Sequence, residues 1–179
     1  MFKKILIVLS GLLIAFLLVV ALQPSGFSVA RSTTINAPPT TPFAHVNNFH
    51  HWQAWSPFEQ LDPAMKRTFE GPTEGVGAIY RWIGNDQAGE GSMTVLESRP
   101  GELIRIELDF IKPMAGKAEA QFVFRNEGAG SSVSWTMLGQ NSFVGKAMCM
   151  FMNMDKLVGA QFAEGLASLK RVSETAAKP

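Results

Sequence analysis

The sequence predicts an α+β domain in which a curved antiparallel sheet wraps a long C-terminal helix, preceded by one N-terminal transmembrane helix. Three observations predict it. From Lys66 to Asn141, apolar and polar residues alternate in runs broken by glycine, the pattern of strands joined by hairpins. From Phe143 to Val172 no proline occurs and apolar residues recur every three or four positions, the pattern of an amphipathic helix. Ile5–Leu22 is an 18-residue block in which only Ser10 and Gly11 are not strongly apolar.

As a helix, the first block spans about 27 Å, close to a hydrocarbon core of roughly 30 Å. Lys3 and Lys4 precede it, and Arg31 is the only basic residue in the fifteen positions after Leu22. The positive-inside bias then leaves the N-terminus in the cytoplasm. The rest of the chain faces the periplasm or cell exterior, held by a single pass through the inner (cytoplasmic) membrane. A cleaved signal would have a shorter apolar region ending in small residues. Val19 and Ala21 supply such a pair weakly, and the uncleaved anchor is the preferred reading. The expected organisation is an anchor and linker over residues 1–25, one domain over residues 26–173, and a polar tail over residues 174–179.

Within the domain, Phe27–Ile35 alternates as a strand, and Ala37-Pro38-Pro39 ends it. Thr41 is a candidate N-cap with Pro42 at the first helical position, and the short helix aligns Phe43, Val46 and Phe49. Trp52, Trp55 and Phe58 extend that cluster. In Leu103–Ile111, Ile104, Ile106, Leu108 and Phe110 alternate with Arg105, Glu107 and Asp109. Lys117–Arg125 repeats this with Ala118, Ala120, Phe122 and Phe124. Val133, Trp135 and Met137 form the dry side of a later strand, and Gly91, Met93 and Val95 that of an earlier one. Glu127–Ser131 is a hairpin turn by composition. One dry face per strand requires a cover, and the C-terminal helix supplies it with Ala147, Phe151, Met154, Val158, Phe162, Leu166 and Leu169. Its first half is apolar nearly all round, because Met148, Met150, Met152 and Leu157 add to the stripe; that half is expected against the strongly curved part of the sheet. The small residues Ala118, Ala120, Gly91 and Gly159 are expected to enlarge a space between sheet and helix.

Composition excludes several classes. The single cysteine, Cys149, allows no intramolecular disulfide and no multi-cysteine metal site. The net charge of +1 contains Lys3 and Lys4; without them, 14 basic residues face 15 acidic ones, which argues against nucleic acid as a partner. Gly71–Gly77 lacks the lysine of a phosphate loop. His45, His50 and His51 are the only histidines, and adjacent side chains point in different directions, so the reading is solvated or capping residues rather than ligands. The sequence implies no cofactor and no metal. General acid–base chemistry would need ionisable groups on the inner face; Arg81, Glu90, Glu97 and Asp155 are the ambiguous ones, with pairing at the rim the favoured reading.

The order strand, Ala-Pro-Pro, short helix, then Trp52-Gln-Ala-Trp55-Ser-Pro-Phe, Leu61-Asp-Pro-Ala-Met-Lys66 and Gly75-Val-Gly77-Ala-Ile-Tyr80-Arg-Trp82 resembles the polyketide cyclase/dehydrase-like branch of the SRPBCC superfamily. Phe110-Ile-Lys-Pro-Met114, Val133-Ser-Trp135-Thr-Met137 and Phe151-Met-Asn-Met-Asp155-Lys-Leu-Val-Gly159 fit the same pattern. The resemblance covers nearly everything from Phe27 to Val172. It implies a START-like and pollen-allergen-like helix-grip fold with a hydrophobic cavity as its working part. Candidate wall residues, chosen by alternation and helical spacing, are Tyr80, Trp82, Met93, Val95, Ile106, Leu108, Phe110, Ala120, Phe122, Trp135 and Met137 from the sheet, with Phe151, Met154 and Val158 from the helix. The expected partner is a hydrophobic small molecule, lipid or isoprenoid-like, with the membrane contacted through residues 5–22. Two alternatives stand beside this: an envelope protein-interaction module with a filled core, and a cyclase- or dehydratase-type enzyme using the same cavity.

Overall fold

The computed structural model describes residues 2–151 and 153–177. An apolar helix, α1 (Phe2–Leu22), leads into β1 (Gly26–Ile35). α2 (Thr40–Asn47) and two 3₁₀ turns (Phe49–Ala54 and Pro57–Gln60) follow. The chain then meanders through β2 (Lys66–Glu70), β3 (Ile79–Ile83), β4 (Glu90–Arg99), β5 (Leu103–Lys112), β6 (Gly116–Glu127) and β7 (Gly130–Gln140). α3 (Phe143–Cys149) and α4 (Met154–Ala176) close it. All seven strands form one antiparallel sheet in the order β1-β7-β6-β5-β4-β3-β2, so the first strand lies beside the last.

The alternation read from the sequence sets the faces. Ile104, Ile106, Ala120, Phe122, Val133 and Trp135 are buried, whereas Arg105, Glu107 and Glu119 stand on the outer face and pair with charged neighbours. The β6–β7 hairpin turns where expected, and Gly128 there has a φ of 64°, a conformation costly for a residue with a Cβ. α2 starts one residue before Thr41, with Pro39 rather than Thr41 in the cap position.

α4 lies along β1 and covers the inner face of the sheet together with α2 and the turn at Pro57–Gln60. Trp135 stacks on Phe162 of α4 with ring centres 4.0 Å apart, and Phe122 stacks on the other side of Trp135 at 4.9 Å. Trp52 and Trp55 meet this stack edge-on, and Leu166 and Leu169 complete it.

The single thirty-residue helix expected from Phe143 to Val172 is two helices. Ser142 caps the first, its hydroxyl accepting from the Gly145 N–H; Asn153 caps the second, its side chain accepting from the Lys156 N–H at 3.0 Å. An asparagine whose side chain competes for backbone donors ends one helix and starts another, which apolar periodicity alone does not report. The Met-rich first half accordingly packs against α1 rather than against the curved sheet. At its other end α4 continues through residues 174–176, where the Glu174 carboxylate accepts from the Asn36 N–H.

Candidate functional site

Strand register defines two ends of the sheet. Gly26 faces Gln140, Ala118 faces Gly139, Phe110 faces Gly116, and Glu90 faces Lys112. These pairs share the end at which α1 enters the domain. Ile35, Ser131, Glu127, Arg99 and Glu70 mark the distal end.

The distal and central interior is filled. Tyr80, Trp82, Met93, Val95, Ile106, Ala120, Phe122 and Trp135 are all buried in one continuous cluster. Gly91 and Gly159, two of the four positions expected to open space, lie under large neighbours, as does Gly165. The Trp82 ring lies over Gly91, so that a Cβ there would meet it at 2.7 Å, and Trp135 and Pro57 close on Gly165 at 2.9 and 2.8 Å. The Arg31 guanidinium crosses α4 directly over Gly159 on its way to Asp155. In this fold a small residue is a seat for a neighbouring side chain.

The α1 end is different. Leu108, Phe110, Met137 and Val158, with Phe27 of β1, pack on the core but stay only half-buried. The Phe27 ring lies over Gly139, where a Cβ would meet it at 2.5 Å. Beside it, Phe27, Leu138 and Gly139 line an open depression of about 490 Å³ between the ends of β1 and β7. Phe151 stands apart from the inner face; it is 79% exposed and faces Phe16 of α1 across 6.4 Å. Met152 and the Met154 side chain lie outside the described residues. Of the wall candidates, Leu108, Phe110, Met137 and Val158 are thus half-buried at this end without lining the depression, and eight others form the closed interior.

The ionisable groups that the sequence left ambiguous are all paired, and Arg81 and Glu97 stand on the outer face of the sheet rather than at a rim. Arg81 pairs with Glu70, Glu90 with Lys112, Glu97 with Arg105 and Arg99, and Asp155 with Arg31. Arg31 hydrogen-bonds both oxygens of Asp155 and holds that carboxyl below its usual range. The interior carboxylate is one that sequence reading missed. Glu59, its side chain 5% exposed, accepts from the Tyr80 hydroxyl at 2.6 Å and from Arg67 Nε at 2.7 Å. Burial first, and then the Glu59 carboxylate, push the Tyr80 hydroxyl well above the ordinary tyrosine range, so it stays a neutral donor. The cluster ties the Pro57–Gln60 turn to the edge strand β2 and its neighbour β3. Only its position in a turn between two prolines and a strand signalled it, and that pattern carries no chemistry.

Trp135 Nε1 is buried and has no acceptor among the described residues. His50 stacks on Phe69 at 3.9 Å, and the His45 and His51 rings meet edge-on at 5.8 Å. A cleft of about 200 Å³ runs between His50, Phe69 and Pro72 towards the distal end. Among the described residues no three His, Cys, Asp or Glu side chains converge.

A seven-stranded antiparallel meander closed by a long C-terminal helix, with an apolar opening at one end, has its counterpart in sequence: residues 26–174 match the profile of the family described as polyketide cyclase / dehydrase and lipid transport. The chain belongs to this family. Solved structures share the fold at low identity. Protein CV1439 from Chromobacterium violaceum superposes with a TM-score of 0.60 at 14% identity, over 82% of this chain and 96% of that one. The Aha1 dimer from Colwellia psychrerythraea gives 0.59 at 15% identity, over 83% and 96%. Ara h 8.0201 gives 0.58 at 10% identity, over 84% and 99%. No curated protein matches the sequence. At such identities the likeness concerns the helix-grip architecture, and the family description covers both catalysts and carriers.

Proposed function

We propose that this chain is a membrane-tethered binder or carrier of a hydrophobic small molecule, lipid or isoprenoid-like, held at the α1 end between the sheet and α4. The observation that carries the reading is the half-buried apolar set Phe27, Leu108, Phe110, Met137 and Val158, which lies towards the end of the sheet where α1 arrives. α1 is long and apolar enough to cross a bilayer. Residues 1–25 then act as anchor and linker, and residues 26–173 as the working domain on the periplasmic or outer side. The lipid source lies at the opening.

Desolvation drives binding. A ligand hiding ~400 Å² of apolar surface gains about 10 kcal/mol gross at roughly 25 cal/mol/Å², and association costs remove half or more of it. A carrier is favoured over a cyclase or dehydratase because the interior carboxylate, Glu59, is already committed to Arg67 and Tyr80.

The test is native mass spectrometry of the full chain taken from membranes in detergent, with solvent extraction. A discrete added mass that extraction removes, and that Met137→Trp lowers by filling the opening, is expected. A clean mass together with no uptake of a fluorescent fatty acid or isoprenol sinks the reading and favours a protein-interaction module.

A further inference from the structure

α3 and the turn after it expose more apolar surface than an aqueous domain tolerates. Phe143, Val144, Met148, Met150, Phe151 and Leu157 are each 40% exposed or more within fifteen residues. Within Phe143–Phe151 the only charge is Lys146.

Three contacts fix how this segment lies against α1. The Asn141 N–H donates to the Ser25 carbonyl at 2.7 Å. Lys146 Nζ reaches the Ala21 carbonyl at 3.4 Å. Phe151 meets Phe16. As the chain runs forward from 141 to 151, its partner on α1 runs backward from 25 to 16, so the segment descends alongside the helix. Phe16 lies six residues before Leu22, a depth of about 9 Å at the helical rise. Asn153 then caps α4, which leads back to the sheet.

If α1 spans the bilayer, whatever packs beside Phe16 is below the lipid surface. We propose that residues 143–151 are a second membrane-inserting element, a re-entrant segment that dips beside α1 into the acyl chains and holds the open end of the domain against them. This rests on the tether reading above. The depth matches that of interfacial helices, which sink roughly 5–10 Å. The charges fit it: Lys146 extends to the end of α1, Asp155 is bonded to Arg31, and Lys156 sits where the chain is rising again. A protein partner would leave no reason for the depths to progress in step with α1; a bilayer does.

Spin labelling of the full chain in nanodiscs of phosphatidylcholine and phosphatidylglycerol tests this. On a Cys149→Ser background, single labels replace Leu12 in α1, Val144, Met148 and Phe151 in the segment, and Glu127 in the distal hairpin; all five are exposed, so folding is undisturbed. Expected is high oxygen and low nickel-chelate accessibility at 12, 148 and 151, deepest in the segment at 151, with 127 fully aqueous. Label 12 in lipid with 151 as aqueous as 127 overturns the loop while leaving the tether standing. Label 12 in water overturns the tether and the loop with it. As a second measurement, Phe151→Glu is expected to slow uptake of a fluorescent fatty acid from vesicles several-fold and to leave uptake from cyclodextrin unchanged; equal slowing from both donors also counts against the loop.

Discussion

Glu59→Gln isolates the interior charge. In the folded domain the Glu59 carboxylate, 5% exposed, faces an Arg67 guanidinium that is itself only 16% exposed, with a 2.7 Å contact between them. Removing one partner of such a pair leaves a desolvated cation, which typically costs 3–5 kcal/mol. Arg67 also donates to the Met65 carbonyl, and its residual exposure lets water in, so about 2–3 kcal/mol is expected here. Arg67→Met in the same chain removes the stranded cation, and the double variant should recover at least half of the loss, a coupling of more than ~1 kcal/mol. The assay is urea unfolding followed by tryptophan fluorescence, because Trp52, Trp55 and Trp135 lie in the core the cluster supports. A cost below ~1 kcal/mol for Glu59→Gln, or a double variant no better than the single one, refutes the account of Glu59 as a buried structural anion. Retained ligand is expected unchanged in the surviving folded fraction; loss of ligand with stability intact would move Glu59 into the binding site.

Two further outcomes follow from the same packing. His45 is half-buried with Nδ1 unpartnered among the described residues, and burial first, then the nearby His51, lower its pKa from 6.5. The unfolded chain therefore takes up this proton first: stability is full above pH 6.5 and declines as pH falls through the folded value, and urea midpoints measured in that window should fall less in His45→Gln. Gly165→Ala meets Trp135 and Pro57, both rigid, and should cost about 1–3 kcal/mol, whereas Gly159→Ala meets only the movable end of Arg31 and should be neutral or stabilising through helix propensity. Equal thermal shifts for the two variants would contradict the seating of Trp135 on α4.

Much of the fold was legible because strands announce themselves locally. The alternation of Ile104, Ile106 and Leu108 against Arg105 and Glu107 reports a face whatever lies across from it. The break between α3 and α4 was not legible in that way, since the apolar spacing runs past Asn153, from Phe151 to Met154, while the Asn153 side chain, once folded, takes the Lys156 N–H. The site was legible by residue type and not by occupancy. Alternation put Trp135 and Gly91 on the inner face but could not say that Trp82 fills the space above Gly91 or that Phe162 lies flat on Trp135, because both depend on distances between elements far apart in sequence. Glu59 was missed for the same reason: Tyr80 lies 21 residues away, and only the folded turn brings them together.

The division between a filled distal half and a half-open proximal half bears on how folding and binding coexist. The stack of Trp135, Phe122 and Phe162, with Leu166 and Leu169 behind it, buries large side chains independently of any ligand, so the domain does not need a guest to fold. Leu108, Phe110 and Met137 lie at the strand ends, where partial burial sacrifices little of that packing. A guest entering there adds stability only by mass action, as the logarithm of its concentration over its dissociation constant. Substitutions at the opening should then shift ligand retention and leave the ligand-free urea midpoint nearly unchanged, while substitutions such as Gly165→Ala should do the reverse. The carrier role proposed above would need that separation, since a fold held together by its cargo would unfold on each delivery.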